Sequence, residues 1–309
     1  MGIGLPVENG HLVVEDGAIL TSLGPDLAIY FAEYDNQNTG QVFPDKTEGW
    51  TFSGHTNSVV SVTVCDDYVF SGGYDNYVRQ INKGDGSAGW TYNEGDTIRG
   101  LSTGVNNNYV YLASDASRIK QLNISDGSEG WTNSNPSDMI FALETGNNGN
   151  YLYTTEDDGT VRRVNLSDGT DDWITSVNDD RTRSIGVGPN DNYIYVGTQY
   201  TNNYVQQLDA TDGSEGWTFD VSDRPEAVAA GIDNNWVYSG VASILQQIAV
   251  SDGNAGWSNN NSIADIRGLA VGPNNKIYSG AASIRKIDTS DGTEDWALAK
   301  STIFDLAIG

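Results

Sequence analysis

Hydrophobic residues fall in short runs separated by polar turns rich in glycine and asparagine, and the same order of runs returns roughly every 40 residues. Around Trp131 one period reads as four strands. Ile98-Arg99-Gly100-Leu101-Ser102-Thr103-Gly104 has the small side chains that suit a crowded ring around an axis. Asn106, Asn107 and Asn108 make a turn, and Tyr109-Val110-Tyr111-Leu112-Ala113-Ser114 is a β-branched and aromatic second strand. Arg118 to Asn123 is the third. The Ser125-Asp126-Gly127-Ser128 turn then leads to an outer strand opening at Trp131.

The period is marked by tryptophan. Trp50, Trp90, Trp131, Trp173, Trp217, Trp257 and Trp296 follow one another at steps of 40, 41, 42, 44, 40 and 39 residues, each closing a near-copy of one phrase. Short strands repeating at this period predict an all-β fold, a β-propeller with one four-stranded antiparallel blade per repeat. The second strands carry an aromatic at one place: Tyr30, Phe70, Tyr111, Tyr153, Tyr195, Tyr238 and Tyr278. At about 150–250 Å² buried apiece, these rings and the tryptophans are expected to be the main packing between blades. An aspartate stands five residues before each tryptophan, as Asp45, Asp85, Asp126, Asp168, Asp212, Asp252 and Asp291. Glycine follows it except at Lys46. Such a pair supplies a carboxylate for nearby N–H groups and a residue that tolerates positive φ.

The inner strand recurs eight times, because Ala18–Gly24 and Ile303–Gly309 both resemble it. Gly24-Pro25 precedes Ile29-Tyr30 much as Gly272-Pro273 precedes Ile277-Tyr278. Eight blades are therefore expected, the last built from both termini. Residues 1–17 would supply a hairpin turning at Glu8-Asn9-Gly10-His11 to complete the closing blade, and residues 18–309 the propeller. Seven blades with a displaced terminal strand is the alternative.

Composition adds constraints on partners. With 42 acidic and 16 basic residues the formal net charge is -26, which repels nucleic acid and anionic membranes. The acids are scattered through loops. An acidic, lysine-poor surface suits concentrated salt, where the Debye length is only about 3 Å at 1 M, so a halophilic origin is expected. Cys65, the single cysteine, reads as a buried structural thiol. Met1 to Pro6 lacks a basic region, a twin arginine and an apolar core, so no export signal is expected, and no window approaches 18 uninterrupted apolar residues, so no membrane insertion is expected. Both termini are expected to be held in place.

Residues that look like chemistry are mostly repeated parts. The acidic turns lack the alternating loop with a closing Glu that marks a calcium site. Asn123, Asn165 and Asn260 begin Asn-x-Ser sequons, the first two on the repeated turn. His11 and His55 accompany no nucleophile motif, and the pairs Asp157-Asp158 and Asp179-Asp180 read as solvated loop tips. No catalytic, cofactor-binding or metal-binding residue is assigned, and no cofactor is expected.

The phrase Asp288-Thr289-Ser290-Asp291-Gly292-Thr293-Glu294-Asp295-Trp296 resembles the tryptophan-docking repeat of pyrroloquinoline-quinone (PQQ) dehydrogenase-like propellers. Gly54-His55, Ser58 to Val62 and Ser71 to Arg79 make one blade similar to a WD-repeat. In the quinone dehydrogenases that resemblance implies a cofactor near the axis, often an adjacent cysteine pair, a calcium ion and a carboxylate base. One cysteine and no distinctive carboxylate cluster mean that this chemistry is not carried over. The Asp-Gly-rich acidic repeats also look similar to uncharacterised propeller proteins of haloarchaea and their tailed viruses.

The leading expectation is thus a non-catalytic binding or structural propeller. It would be a virion component (tail, fibre or capsid surface) in an extracellular high-salt setting, part of an oligomer. Its partners would be other virion proteins or a host surface glycan or glycoprotein. The loops between outer and inner strands vary most: Thr56-Asn57, Asn133 to Pro136, Asn178 to Arg181, Asp223 to Pro225 and Asn259 to Asn261, with Tyr74 and Tyr200 as contact rings. The alternatives are a quinone-type oxidoreductase or polysaccharide hydrolase, and an assembly scaffold in a halophile cytoplasm.

Overall fold

A computed structural model describes residues 28–309 except 178–180, 200–202, 263 and 274, together with the backbone of 7–8 and 11–12. Seven four-stranded antiparallel sheets stand around an axis among the described residues. Blade 1 joins strand Ile303–Ile308 to residues 29–52. Blades 2 to 7 are residues 59–93, 98–133, 140–176, 181–220, 225–259 and 268–299. Within each blade the strands run from axis to rim as meanders, except that the innermost strand of blade 1 comes from the far end of the chain.

The count corrects the eight-blade expectation. Ile303–Ile308 does not enter a vacant eighth position; it pairs antiparallel with Ile29–Glu33, with Ile29 opposite Ile308 and Phe31 opposite Leu306. The tryptophan ladder confirms the geometry, because Trp296 of blade 7 donates its Nε1–H to the carbonyl of Pro44 in blade 1 at 2.9 Å. A ladder that closes on itself after seven steps leaves no gap. The inner-strand resemblance of 18–24 lies outside the described residues. Near the N-terminus, Val7–Glu8 pairs with His11–Leu12 in a separate two-stranded sheet, not in a blade.

Each tryptophan docks on the next blade. The indole N–H groups of Trp50, Trp90, Trp131, Trp173, Trp217 and Trp257 reach the carbonyls of Lys83, Ile124, Leu166, Ala210, Val250 and Thr289 at 2.8–3.2 Å. Their rings lie against the glycine of the next Asp-Gly turn. A Cβ on Gly127 would stand 2.7 Å from Trp90, and φ there is +72°. Glycine is thus required twice, by the backbone and by the indole. Each turn aspartate accepts an N–H two residues on, for example Asp126 from Ser128 at 2.9 Å and Asp291 from Thr293 at 2.9 Å. The second-strand aromatics are buried beside the tryptophan of their own blade, with centroids 5.6–6.3 Å apart. Cys65 is half-buried rather than buried.

A second pairing supports the docking. In five blades a third-strand glutamine lies over the glycine that precedes tryptophan, as Gln121 over Gly130, where a Cβ would meet Oε1 at 2.3 Å. Gln80, Gln121, Gln207 and Gln247 also donate to the carbonyl that holds the tryptophan of their blade. Blades 4 and 7 replace both members together. Arg163 pairs with Asp172, and Lys286 with Asp295, and each cation still reaches the shared carbonyl. The exchange keeps one donor on the carbonyl and fills the glycine's space with the countercharge.

Candidate functional site

The antiparallel order places the Asp-Gly turns on one face of the ring. The outer-to-inner loops, and the turns between second and third strands, lie on the other. On that second face six of the seven inner strands have an irregularity near their start. Register slips over Val60, Arg99, Phe141, Arg183, Glu226 and Phe304, and Arg267 stands just before strand Gly268–Gly272. A bulge leaves one residue out of the ladder and re-aims its side chain. All seven of these residues line the axial cavity, of about 610 Å³, so the bulges build a ring at its mouth.

Arginine dominates that ring. Four of the chain's ten arginines, Arg99, Arg183, Arg224 and Arg267, line the cavity, and no lysine does. Aromatic rings hold them in place. The Arg99 guanidinium lies 5.1 Å from the Tyr74 ring, Arg183 4.4 Å from Phe141, and Arg267 4.6 Å from Phe304, while Tyr34 stacks on Phe304 at 4.9 Å. Such contacts fix a guanidinium without neutralising it. Arg99 makes a two-pronged pair with Asp115, and Arg224 a close one with Glu226. Arg183 and Arg267 are less satisfied. Arg183 donates to Gln199 at 2.9 Å and stands 3.8 Å from Glu226, and Arg267 stands 3.8 Å from Asp265. Burial pulls the Arg183 pKa down; Glu226 opposes this, and the like charge of Arg224 adds to it.

Below the mouth the wall is mostly small or aliphatic, with two carboxylates. Asp305 accepts from Ser61 Oγ at 3.1 Å and Val62 N at 2.9 Å, and Glu144 accepts from Val187 N at 3.1 Å. Both therefore tie one blade to the next. Burial raises the Glu144 pKa to about 8 and the Asp305 pKa to about 6.

The other chemical-looking groups serve the frame. His55 Nε2 lies 2.8 Å from Ser71 Oγ, and Nδ1 lies 3.1 Å from Asp75, the outline of an acyl-transfer triad. However, Arg79 Nη1 is 2.8 Å from Nδ1 and can only donate. The Asp75 carboxylate, which can only accept, faces the same nitrogen and also pairs with Arg79 at 2.7 Å, so His55, Asp75 and Arg79 form one buried polar cluster. Ser71 is also fully buried, so a substrate carbonyl has no path to it. Burial lowers the His55 pKa. Despite its own burial, Asp75 is held near 2 by hydrogen bonds from His55 and Thr56 and by the Arg79 charge. Asp157 pairs with Arg181 while Asp158 accepts from Ser137 and Thr160, so the two do not converge. Asn123 and Asn165 bond within their turns to Ser128 and Thr170. Tyr74 lines the cavity; Tyr200, Asp179 and Asp180 lie outside the described residues. Among the described residues no three His, Cys, Asp or Glu side chains gather to hold a metal ion.

Residues 74–201 match the family model described as PQQ_2, outer membrane protein assembly factor BamB. The match begins in blade 2 and runs through the second strand of blade 5, the same repeats in which the tryptophan docking is observed. The ring is a PQQ-like propeller. No curated protein matches the chain. In this PQQ-like propeller the arginines of the mouth are the functional residues that motif reading misses. Their signal lies in the aligned repeats, where one position holds three arginines, two phenylalanines, a valine and a glutamate instead of a single residue type.

Proposed function

We propose that this PQQ-like propeller is a non-catalytic binding module that engages its partner through the face carrying the outer-to-inner loops. The observation that carries the reading is the bulge ring. Seven equivalent positions that the fold could fill alike instead hold arginines, phenylalanines, a valine and a glutamate around a cavity of about 610 Å³. A cavity of that size falls within the range of binding pockets. Meanwhile the Ser71-His55-Asp75 constellation is closed off and committed to the frame. An assembly factor is also what the matched family model is described as.

The finer placement belongs to the same proposal. The acidic surface and the resemblance to propellers of haloarchaea and their tailed viruses support a component of a viral particle in concentrated salt, on the tail, a fibre or the capsid surface. There it would contact other virion proteins or the host surface. Mass spectrometry of purified particles tests this: the chain is expected at a fixed ratio to the capsid protein, and its absence from every particle preparation contradicts the placement.

A further inference from the structure

From the arginine ring we infer a site for an acidic peptide, an Asp- or Glu-bearing segment of a partner protein seated in the axial mouth. This rests on the binding-module reading and specifies what is bound. Three observations lead to it.

The first is charge placement. The chain as a whole is strongly acidic, with a formal net charge of -26, yet four of its ten arginines line this one cavity. Positive charge placed against the trend of the whole surface attracts negative groups at that point and nowhere nearby.

The second is the state of the aromatic rings. Phe141 and Phe304 have arginines against them, and Tyr34 stacks on Phe304. Faces used this way hold guanidinium forks in position instead of receiving sugar rings. Recognition at the mouth is therefore by forked donors, which match planar carboxylates two bonds at a time.

The third is the glutamate already present. Glu226 projects from its own bulge between Arg224 and Arg183, in close contact with the first and 3.8 Å from the second. It shows that a carboxylate fits among these arginines, and that Arg183 has capacity left. Arg267, two-sevenths of the ring away from Arg183 and 3.8 Å from Asp265, has capacity too. Glu226 already spans Arg224 and Arg183; a peptide with several carboxylates can engage Arg183 and Arg267 together. Below the mouth the wall offers no further guanidinium, and its carboxyl groups Asp305 and Glu144 are bonded to Ser61, Val62 and Val187, so the acidic segment rests at the mouth.

The test is fluorescence anisotropy of the full chain with fluorescein-labelled hexaglutamate at about 1 M salt, where repulsion from the net charge is screened. Saturable binding is expected, with hexalysine inert. Arg183→Gln with Arg267→Gln should weaken binding at least tenfold. Lys46→Gln with Lys83→Gln, which removes the same charge from the opposite face, should leave it within twofold. Glu226→Gln should tighten it, because the internal competitor is gone. Lack of saturable binding, equal loss in both double variants, or displacement by inorganic pyrophosphate at concentrations where free glutamate oligomer fails would each overturn the inference. Particle mass spectrometry separates the two proposals. A chain present in particles but indifferent to hexaglutamate defeats only the peptide site, whereas peptide binding by a chain absent from particles defeats only the placement.

Discussion

The two faces of the ring are made by different rules. On the face of the Asp-Gly turns, one arrangement occurs seven times: an aspartate accepting an N–H two residues on, and a tryptophan from the preceding blade set against the turn. On the other face, the equivalent bulge positions hold Val60, Arg99, Phe141, Arg183, Glu226, Arg267 and Phe304. Packing between blades is the same problem at every junction, so it has one solution. Recognition of an asymmetric partner is not sevenfold, so its residues differ. Repetition marks what folds the chain, and departure from repetition marks what binds.

The largest break in this comparison is at the closure. Deleting residues 303–309 strips blade 1 of its inner strand and exposes Ile29, Phe31 and Tyr278, which pack with the buried Ile303 and Leu306. Loss of the cooperative thermal transition is expected by calorimetry, since the pairing of Ile303–Ile308 with Ile29–Glu33 is what closes the ring. A transition retained at the wild-type temperature would mean that the strand only decorates the ring.

Next comes the repeated face. Gly127→Ala places a Cβ against Trp90 at a φ of +72° and should cost about 2–3 kcal/mol in denaturant unfolding, while hexaglutamate affinity stays unchanged. A variant that also lost the peptide would show that the faces are not independent.

The unrepeated inner strands predict the opposite sign. Burial raises the Glu144 pKa to about 8 from its usual 4.5. The protonated group therefore contributes stability fully below about pH 4.5, and this is lost as pH rises toward about 8. Asp305 acts alike up to about pH 6. Glu144→Gln keeps an acceptor for Val187 and should raise stability at pH 8 on the order of 2 kcal/mol, flattening the thermal midpoint against pH. An unchanged pH slope would place the titration elsewhere.

The smallest effect tests the one flaw in the repeated face. Lys46 holds a φ of +75° where the other six turns have glycine, and the Tyr278 and Trp296 rings are the widest pair, at 6.3 Å. Lys46→Gly should stabilise by about 0.5–1 kcal/mol, read as a small rise in Tm.

Legibility followed the same division. The strands around Trp131, the buried second-strand aromatics and the turn aspartates were readable because each is repeated, and repetition averages out local ambiguity. The blade number was misread because Ile303–Gly309 and Ala18–Gly24 both carry the inner-strand pattern. Pattern alone does not say which one pairs with Ile29–Glu33; that is a contact across almost the whole chain. The arginine mouth was missed for a different reason. Arg99 and Arg183 look like ordinary members of a strand, and a bulge is a slip of register between two strands that no single residue type announces.

The central claim is that the bulge ring binds while the repeated face folds. Calorimetry of the wild type and of Arg183→Gln with Arg267→Gln, each with and without saturating hexaglutamate, tests it most directly. Both proteins should unfold at nearly the same temperature alone, and only the wild type should be raised by the peptide, because a ligand of the native state stabilises by mass action. An equal rise in the variant, or a variant destabilised as much as Gly127→Ala, would contradict the account.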